Sequence, residues 1–262
     1  MGNRMQSVIS IALEAGQAIL QVYQDEIHVS QKTDDSPLTQ ADLAAHNLIM
    51  AKLTALDPIL PVISEESASI PYEKRSKWDR YWLVDPLDGT REFIKRNGEF
   101  TVNIALIEHQ VPALGVVYAP ALDLLFFAAK GEGAYRQLGN QPPQAIRARM
   151  FDPTQLIVAG SRSHGDARLA KFLDRIGPHL LISMGSSLKI CLVAEGRADV
   201  YPRLGPTSEW DTAAAQCVLE EAGGQLAGTD GCPLRYNTKD SLLNPEFFAV
   251  GASSRNWSKY IE

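Results

Sequence analysis

The sequence predicts a mixed α/β fold in two parts: helices with an antiparallel sheet first, and then a region in which strands and helices alternate. Between residues 100 and 149, strand-like segments follow one another across hairpin-length turns, which indicates an antiparallel meander. After residue 153, apolar strand patterns alternate with helical patterns, as in α/β proteins. We therefore expect an α+β part over residues 1–152 and an α/β part over residues 153–262, and 262 residues are enough to enclose a sizeable core.

The first part begins with two helices. Apolar residues recur at helical spacing over residues 4–24, which predicts an amphipathic helix packed on a core; its polar face is not basic enough for a membrane anchor. Thr39 is followed three residues later by Asp42, as in a capping box, so we expect a second helix from there to Leu56. A lone histidine on a helix is seldom a ligand, and we expect His46 to be interior-facing or half-buried on this one.

Two strands of this part end in carboxylates. Residues 59–64 form a short apolar run that leads into Glu65. Residues 81–84 form a second apolar run, which leads into Asp85 and Asp88. Further strands are expected in the meander, at residues 100–107, 115–118, 124–128, 131–135 and 146–149.

The second part alternates strands with helices. Strands are expected at residues 156–159, 180–183, 198–201 and 247–251. Helices are expected at residues 166–176, 187–194 and 211–222.

The composition excludes several classes of protein. The net charge is 25 − 31 = −6, which does not suit an electrostatic nucleic-acid binder. No segment approaches the roughly 20 apolar residues of a membrane helix, and the N-terminus lacks the apolar core of a signal peptide. The 3 cysteines are widely spaced and form neither a disulfide framework nor a metal pair. We expect a reduced, cytosolic protein.

The turn at Asp85 and Asp88 is the first candidate site. Two carboxylates that converge in one pocket repel each other unless they are protonated or neutralised by a cation, and hard oxygen donors suit Mg²⁺. Gly89 and Thr90 open a helical turn whose free N–H groups favour an anion. A cation site beside an anion site is typical of phosphoryl chemistry. Taken alone, the same residues fit a solvated Asp/Gly/Pro turn equally well.

Three strand-to-helix junctions of the second part carry small, hydroxyl or basic residues, at residues 161–165, 185–189 and 202–211. Backbone N–H groups at such helix starts are accessible to phosphate, and Lys189 and Arg203 can add donors. The alternative is that the serines cap helices and that the basic side chains are solvated. Residues 185–189 do not have the spacing of a Walker loop, so a nucleotide hydrolase of that type is disfavoured.

Three motifs together resemble one known family. Asp85 to Thr90 reads Asp-Pro-Leu-Asp-Gly-Thr, Trp210 to Ala214 reads Trp-Asp-Thr-Ala-Ala, and an acidic strand end lies at Glu65. These match the ordered signatures of the inositol monophosphatase superfamily, over nearly the entire chain. Within it, the segments 85–101, 161–164, 185–189 and 201–203 are similar to the bacterial CysQ-type 3′(2′),5′-bisphosphate nucleotidases.

The resemblance implies a layered α/β/α/β/α sandwich of the inositol monophosphatase and sugar phosphatase type. Most metal ligands would lie in the first part, and the second part would carry the substrate loops and Asp211. Two or three Mg²⁺ ions would be held by Glu65, Asp85, Asp88, Asp211 and the carbonyl of Leu87. The resemblance gives catalytic roles to Thr90, Asp42 and Glu65, with Thr90 and Asp42 orienting and deprotonating the attacking water.

The substrate is expected to contact the metal site at one end and the second part at the other. The N–H groups of Gly89 and Thr90 would hold the phosphate, whereas the adenosine and the 5′-phosphate would lie near residues of the later loops. The full predicted set is Glu65, Leu87, Asp88, Gly89, Thr90, Ser161, His164, Gly185, Lys189, Arg203 and Asp211.

The implied activity is hydrolysis of adenosine 3′,5′-bisphosphate to AMP and phosphate in sulfate assimilation, with 3′-phosphoadenosine 5′-phosphosulfate as a further substrate and Li⁺ as an inhibitor. One alternative is an inositol or sugar monophosphate phosphatase. Glu209 supports it, since inositol phosphatases place an acidic residue against a sugar hydroxyl. A second alternative is a protein-binding regulatory member without activity. Both a monomer and a homodimer fit the sequence, and some relatives associate peripherally with the cytoplasmic side of the inner membrane.

Overall fold

The computed structural model describes residues 2–24, 29–31, 37–67, 70–161, 167–252 and 255–261. In this part of the chain, the α-helices are α1 Asn3–Gln24, α2 Gln40–Leu56, α3 Tyr72–Arg75, α4 Thr90–Ile94, α5 Ala167–Ile176, α6 Leu188–Ala194 and α7 Glu209–Glu221. None of these helices is both long enough and apolar enough to cross a membrane.

The strands fall into two main sheets and one short pair. The pair is β1 Val29–Gln31 with β2 Pro37–Thr39. The first sheet contains β3 Val62–Ser64, β4 Arg80–Asp88, β5 Thr101–Glu108, β6 Val111–Ala119, β7 Leu124–Ala129, β8 Gly133–Leu138 and β9 Gln144–Ile146. The second contains β10 Ile157–Ser161, β11 Leu180–Met184, β12 Val200–Arg203, β13 Gln225–Gly228 and β14 Phe247–Val250.

The first sheet is the predicted meander. Strands β4 to β9 pair in chain order, each antiparallel to the next, and β3 adds a parallel edge beside β4. The pairing of β4 with β5 is regular up to Asp85 and then shifts in register before Asp88. The turn between β5 and β6 consists of His109 and Gln110, because β6 begins at Val111, earlier than the strand predicted from residue 115.

The second sheet is mixed and has the order β11-β10-β12-β14-β13. Strands β11 and β12 are parallel to β10, whereas β14 runs antiparallel to both β12 and β13. Strand β13 is not among the predicted strands, because a short segment that ends in glycine has too little apolar alternation to predict one.

The described structure has five layers, which three apolar cores hold together; one of these cores surrounds the middle layer. Alternate residues of β4 point to opposite faces of the first sheet: Trp82 packs with α1 and α2, whereas Leu83 packs with α6 and α7. The second sheet covers the other side of α6 and α7 through Phe247, and its far face packs against α5 through Phe248. The layers are therefore α1/α2, first sheet, α6/α7, second sheet and α5, which confirms the predicted α/β/α/β/α sandwich. The α6/α7 layer lies between the two sheets, where the candidate site is found.

Candidate active site

Three carboxylates converge at one point, and they come from both halves of the chain, residues 1–152 and residues 153–262. Asp85 and Asp88 come from the end of β4, and Asp211 comes from the first turn of α7. One carboxylate oxygen from each lies within 4.8 Å of the others. This spacing allows a single ion to contact all three side chains.

The irregular end of β4 explains how two carboxylates of one strand reach the same place. The pairing with β5 loses register between Asp85 and Asp88. The backbone N–H of Leu87 turns back to donate to Asp85 Oδ1 at 3.0 Å. The three-residue step from Asp85 to Asp88 therefore brings both side chains to one side of the chain.

The other two carboxylates are held by backbone N–H groups. The N–H of Ser187 donates to Asp88 Oδ2 at 2.6 Å, and Asn103 Nδ2 approaches the same oxygen at 3.4 Å. The N–H of Ser208 donates to Asp211 Oδ2 at 2.9 Å, in a capping box at the start of α7. Each carboxylate has one oxygen occupied in this way, and the bonds fix the direction of the other.

Without a cation, the carboxylates of the cluster repel one another. Burial raises the pKa of Asp85 well above its ordinary value, and the charges of Glu65, Asp88 and Asp211 raise it further. Burial likewise raises the pKa of Asp88 to about 6, although Lys189 opposes the shift. For Asp211, burial and then the charge of Asp88 raise the pKa to about 8. A multivalent cation relieves this repulsion, so the residues fit a metal with oxygen ligands.

Glu65 lies beside the cluster and is not one of the three residues whose carboxylate oxygens lie within 4.8 Å of one another. It follows β3 in a short 3-10 turn, where β3 is parallel to β4 and the two strand ends adjoin. Its charge contributes to the raised pKa of Asp85, and the residue lines the same cavity as Asp88 and Asp211. Strand β3 therefore brings the predicted fourth carboxylate to the site.

Thr90 and Asp42 meet across two helices. Thr90 Oγ1 donates to Asp42 Oδ1 at 3.2 Å, and Leu87 O lies 3.5 Å from the same hydroxyl. Asp42 is fully buried, and its other oxygen accepts from the N–H of Thr39 at 2.8 Å and from its hydroxyl at 2.6 Å. The capping box of α2 thus orients Asp42 towards Thr90.

A cavity of about 290 Å³ opens onto the cluster. The predicted residues that line it are Glu65, Asp88, Gly89, Thr90, Ser161, Lys189, Arg203 and Asp211. Asp42, Asp85, Leu87 and Gly185 are not among its lining residues, and His164 lies outside the described residues.

The two predicted cations of the second half already have internal contacts. Lys189 Nζ donates to the carbonyl of Ser186 at 2.6 Å and lies 5.5 Å from the ring centre of Tyr201. Burial lowers the pKa of Lys189 to about 8, and the charge of Asp88 opposes that shift. One Arg203 nitrogen donates to the carbonyl of Pro206 at 2.6 Å, and Arg203 Nε is buried with no hydrogen-bond partner in the described structure.

Glu209 faces away from the cavity. Its side chain is 1% exposed, and its carboxylate accepts from the N–H of Asn237 at 2.8 Å. Burial raises the pKa of Glu209 to about 7, with Asn237 and the charge of Arg75 opposing. Glu209 therefore makes an internal contact with Asn237. A group that binds a sugar hydroxyl would have to face the cavity, and Glu209 is not among the residues that line it.

The groups that hold the acidic cluster and the loop beside it carry no signal in the sequence. Asn103, on β5, contacts both Asp88 and the hydroxyl of Ser187, and Glu99 accepts from the N–H of Gly185. Nothing local indicates these roles: Asn103 reaches Asp88 through the pairing of β4 with β5, and the contacts of Asn103 with Ser187 and of Glu99 with Gly185 form only when distant segments pack together.

Comparisons with known proteins agree with this geometry. A sequence profile described as the inositol monophosphatase family matches residues 4–258. The 3′(2′),5′-bisphosphate nucleotidase CysQ of Escherichia coli (strain K12) is 50% identical over 245 residues, which cover 93% of this chain and 98% of that protein. The crystal structure of CysQ from Bacteroides thetaiotaomicron is 43% identical, with a TM-score of 0.83 over 96% of this chain and 98% of that one. An inositol monophosphatase of Thermotoga maritima superposes with a TM-score of 0.83 at 25% identity, over 99% and 97% of the two chains.

Proposed function

The chain belongs to the inositol monophosphatase family, and we propose that it is a Mg²⁺-dependent phosphatase that removes the 3′-phosphate of adenosine 3′,5′-bisphosphate, giving AMP and phosphate. One observation carries the proposal: a cavity of about 290 Å³ has the carboxylates of Asp88 and Asp211 on its wall together with the cations Lys189 and Arg203. A substrate with two phosphates matches such a cavity better than one with a single phosphate. The names of relatives such as the E. coli nucleotidase support the same substrate.

The donor set supports a hard divalent ion. Glu65, Asp85, Asp88 and Asp211, with the carbonyl of Leu87, offer only oxygen atoms, as Mg²⁺ prefers. Two or three bound ions would supply a water of lowered pKa and would stabilise negative charge at the phosphate. The raised pKa values of three of these carboxylates support the need for positive charge there.

Thr90 and Asp42 form a relay for the proton of the attacking water. Thr90 Oγ1 accepts that proton while its own proton passes to Asp42 Oδ1, to which the hydroxyl already donates at 3.2 Å. Asp42 is held for this purpose by the two hydrogen bonds from Thr39. The N–H groups of Gly89 and Thr90, at the start of α4, would hold the phosphate while water attacks in line.

The second half would bind the remainder of the nucleotide. Ser161, Lys189 and Arg203 line the cavity, and His164 and Gly185 complete the predicted set. Arg203 Nε offers a buried donor for an anion, since it has no partner in the described structure. The same subsite would accept 3′-phosphoadenosine 5′-phosphosulfate, whose 5′ end is also anionic.

A substrate panel tests the proposal. With Mg²⁺ present, phosphate release from adenosine 3′,5′-bisphosphate should exceed release from inositol 1-phosphate at matched concentration, and a chelator should abolish both. The opposite ranking would favour the sugar phosphatase alternative. The burial of Glu209 against Asn237 removes the sequence feature that supported that alternative.

The cellular setting is part of the same proposal. Cys191 and Cys217 are buried and free, and Cys232 is exposed and free, which suits a reducing compartment. We propose a cytoplasmic enzyme that acts on a small nucleotide. The complete set of site carboxylates argues against the non-catalytic alternative.

A further inference from the structure

The loop Gly185–Ser187, which joins β11 to α6, is held by a charged side chain at each of its three residues. Glu99 Oε2 accepts from the N–H of Gly185 at 2.8 Å. Lys189 Nζ donates to the carbonyl of Ser186 at 2.6 Å, and Asp88 Oδ2 accepts from the N–H of Ser187 at 2.6 Å. Two of these anchors come from the first half of the chain, so the loop is clamped across the interface between the halves.

The middle residue of the loop has an unfavourable backbone. Ser186 has φ +47°, in the left-handed region that non-glycine residues rarely adopt. Such a conformation persists only where the surroundings hold it in place. Ser186 lines the cavity, and its Oγ is buried with no partner among the described residues. The clamp therefore holds a strained residue against the space that the substrate would occupy.

Glu99 is in close contact with the loop although it does not line the cavity. A Cβ atom added to Gly185 would come within 2.6 Å of the carbonyl of Glu99, 2.9 Å of Glu99 Cβ and 2.7 Å of Glu92 Cγ. Only glycine fits this approach. Glu99 is itself 7% exposed, so its carboxylate has little access to water and its bond to Gly185 is a buried, charge-assisted one.

We propose that Glu99 is a positioning residue that sets the affinity for the nucleotide end of the substrate, through the loop Gly185–Ser187. The proposal rests on the function proposed above. Asp88 belongs to the metal cluster and Lys189 lines the cavity, so neither can be changed without altering the site directly. Glu99 is the anchor whose residue neither belongs to the three-carboxylate cluster nor lines the cavity, so its side chain allows the effect of loop position on binding to be measured separately from metal binding.

Product inhibition separates the two ends of the site. AMP carries the nucleotide end without the 3′-phosphate, whereas inorganic phosphate lacks the nucleoside and reports on the phosphate positions alone. In Glu99→Ala, the inhibition constant for AMP and the KM for adenosine 3′,5′-bisphosphate should rise about tenfold, the effect of losing one charge-assisted hydrogen bond. Three quantities should stay within about twofold of the wild type: the inhibition constant for phosphate, the half-activating Mg²⁺ concentration and kcat. Each reports on the phosphate or metal position, and the Glu99 side chain is not part of either position.

Two variants serve as controls. Glu99→Gln keeps an acceptor oxygen for the N–H of Gly185 and should recover most of the affinity for AMP. Glu221→Ala removes a matched contact elsewhere: the carboxylate of Glu221, on α7, accepts from the N–H groups of Gly131 and Gly133 in the first half, each at 3.0 Å. It should lower thermal stability and leave the affinity for AMP unchanged.

An unchanged inhibition constant for AMP in Glu99→Ala would overturn the proposal. So would a parallel loss of affinity for AMP and for phosphate, because that pattern reports general damage. If Glu99→Ala does not fold, Gly185→Ala tests the proposal instead, because its added Cβ would push the loop away from Glu99. Wild-type affinity for AMP in Gly185→Ala would also overturn the proposal. A wild-type enzyme that AMP does not inhibit would instead refute the proposed substrate.

Discussion

Binding of Mg²⁺ should weaken steeply as the pH falls from 8 to 6. Burial and like charge raise the pKa of Asp211 to about 8 and that of Asp88 to about 6, and they raise the pKa of Asp85 as well. The proposed Mg²⁺ ions would bind the ionised carboxylates, so each proton that must leave costs about 1.4 kcal/mol per pH unit below the pKa of its group. From Asp211 alone, the half-activating Mg²⁺ concentration should rise about tenfold per pH unit below 8.

The measurement is a Mg²⁺ activation curve for phosphate release at several pH values, with calorimetry in two buffers to count released protons. At least one proton per site should be released on binding at pH 7. Glu220→Gln is a control, because burial raises the pKa of Glu220 on the far side of α7, against Gln216. Glu220→Gln should leave the pH dependence of the half-activating Mg²⁺ concentration unchanged. A half-activating concentration that is constant between pH 8 and 6 would refute the reasoning.

The same cluster makes a signed prediction for stability. A carboxyl group whose pKa is raised on folding opposes folding when it is ionised, so its cost is absent at pH values below the unfolded pKa of about 4 and grows as the pH rises above it. For Asp211, whose pKa is about 8, the cost is complete only above that pH. Without metal, the free energy of unfolding should therefore contain a contribution that falls between pH 5 and 8, and added Mg²⁺ should reverse this fall at pH 8. Urea unfolding with and without a chelator measures both.

Further predictions concern single positions and one ion. Asp88→Asn should lower kcat at least about a hundredfold by removing a proposed metal ligand, yet leave the protein folded, because the amide oxygen can still accept from the N–H of Ser187; wild-type turnover would remove Asp88 from the mechanism. Thr90→Ala should lower kcat by about a hundredfold or more, since it removes the relay hydroxyl, whereas Thr90→Ser should retain most activity; equal kcat values would contradict the relay. Gly115→Ala should destabilise the fold by about 1–3 kcal/mol in urea unfolding, because its Cβ would lie 2.2 Å from the carbonyl of Ala214 on α7; an unchanged unfolding midpoint would contradict this packing. Millimolar Li⁺ should inhibit phosphate release, as the family resemblance implies, and insensitivity would count against the assignment.

The predictable parts of this protein are those with local causes. The period of apolar residues predicts α1 and the strands of the meander, and the Thr39–Asp42 capping box predicts where α2 begins. The turn at Asp85 and Asp88 is a candidate cation site from its own residues, whereas Asp211 joins the predicted cluster only through the resemblance of the motifs to a known family. The two-part division at residue 152 remains a prediction, although the sheets lie on either side of it.

The contacts that could not be predicted depend on packing between distant segments. The sequence predicts Lys189 as a donor for phosphate and leaves open that it is solvated; in the structure it lines the cavity but is buried, and its Nζ donates to the carbonyl of Ser186. Glu209 reads as a substrate group two residues before Asp211, but the first turn of α7 directs it to Asn237 instead. Glu99 has no motif at all, and it meets Gly185 across a separation of 86 residues.

The geometry of the cluster links metal binding to the packing of the two halves. Asp85 and Asp88 belong to the first half and Asp211 to the second, so their mutual repulsion acts across the interface that they share. The same interface is held by the N–H of Ser187 on Asp88 and by the close approach of Gly115 to α7. A cation at the cluster converts the repulsion into attraction between β4 and the start of α7. It would thereby strengthen the packing that orients Ser187 and the loop beside it, so ion binding and the shape of the proposed nucleotide end would be joined through Asp88.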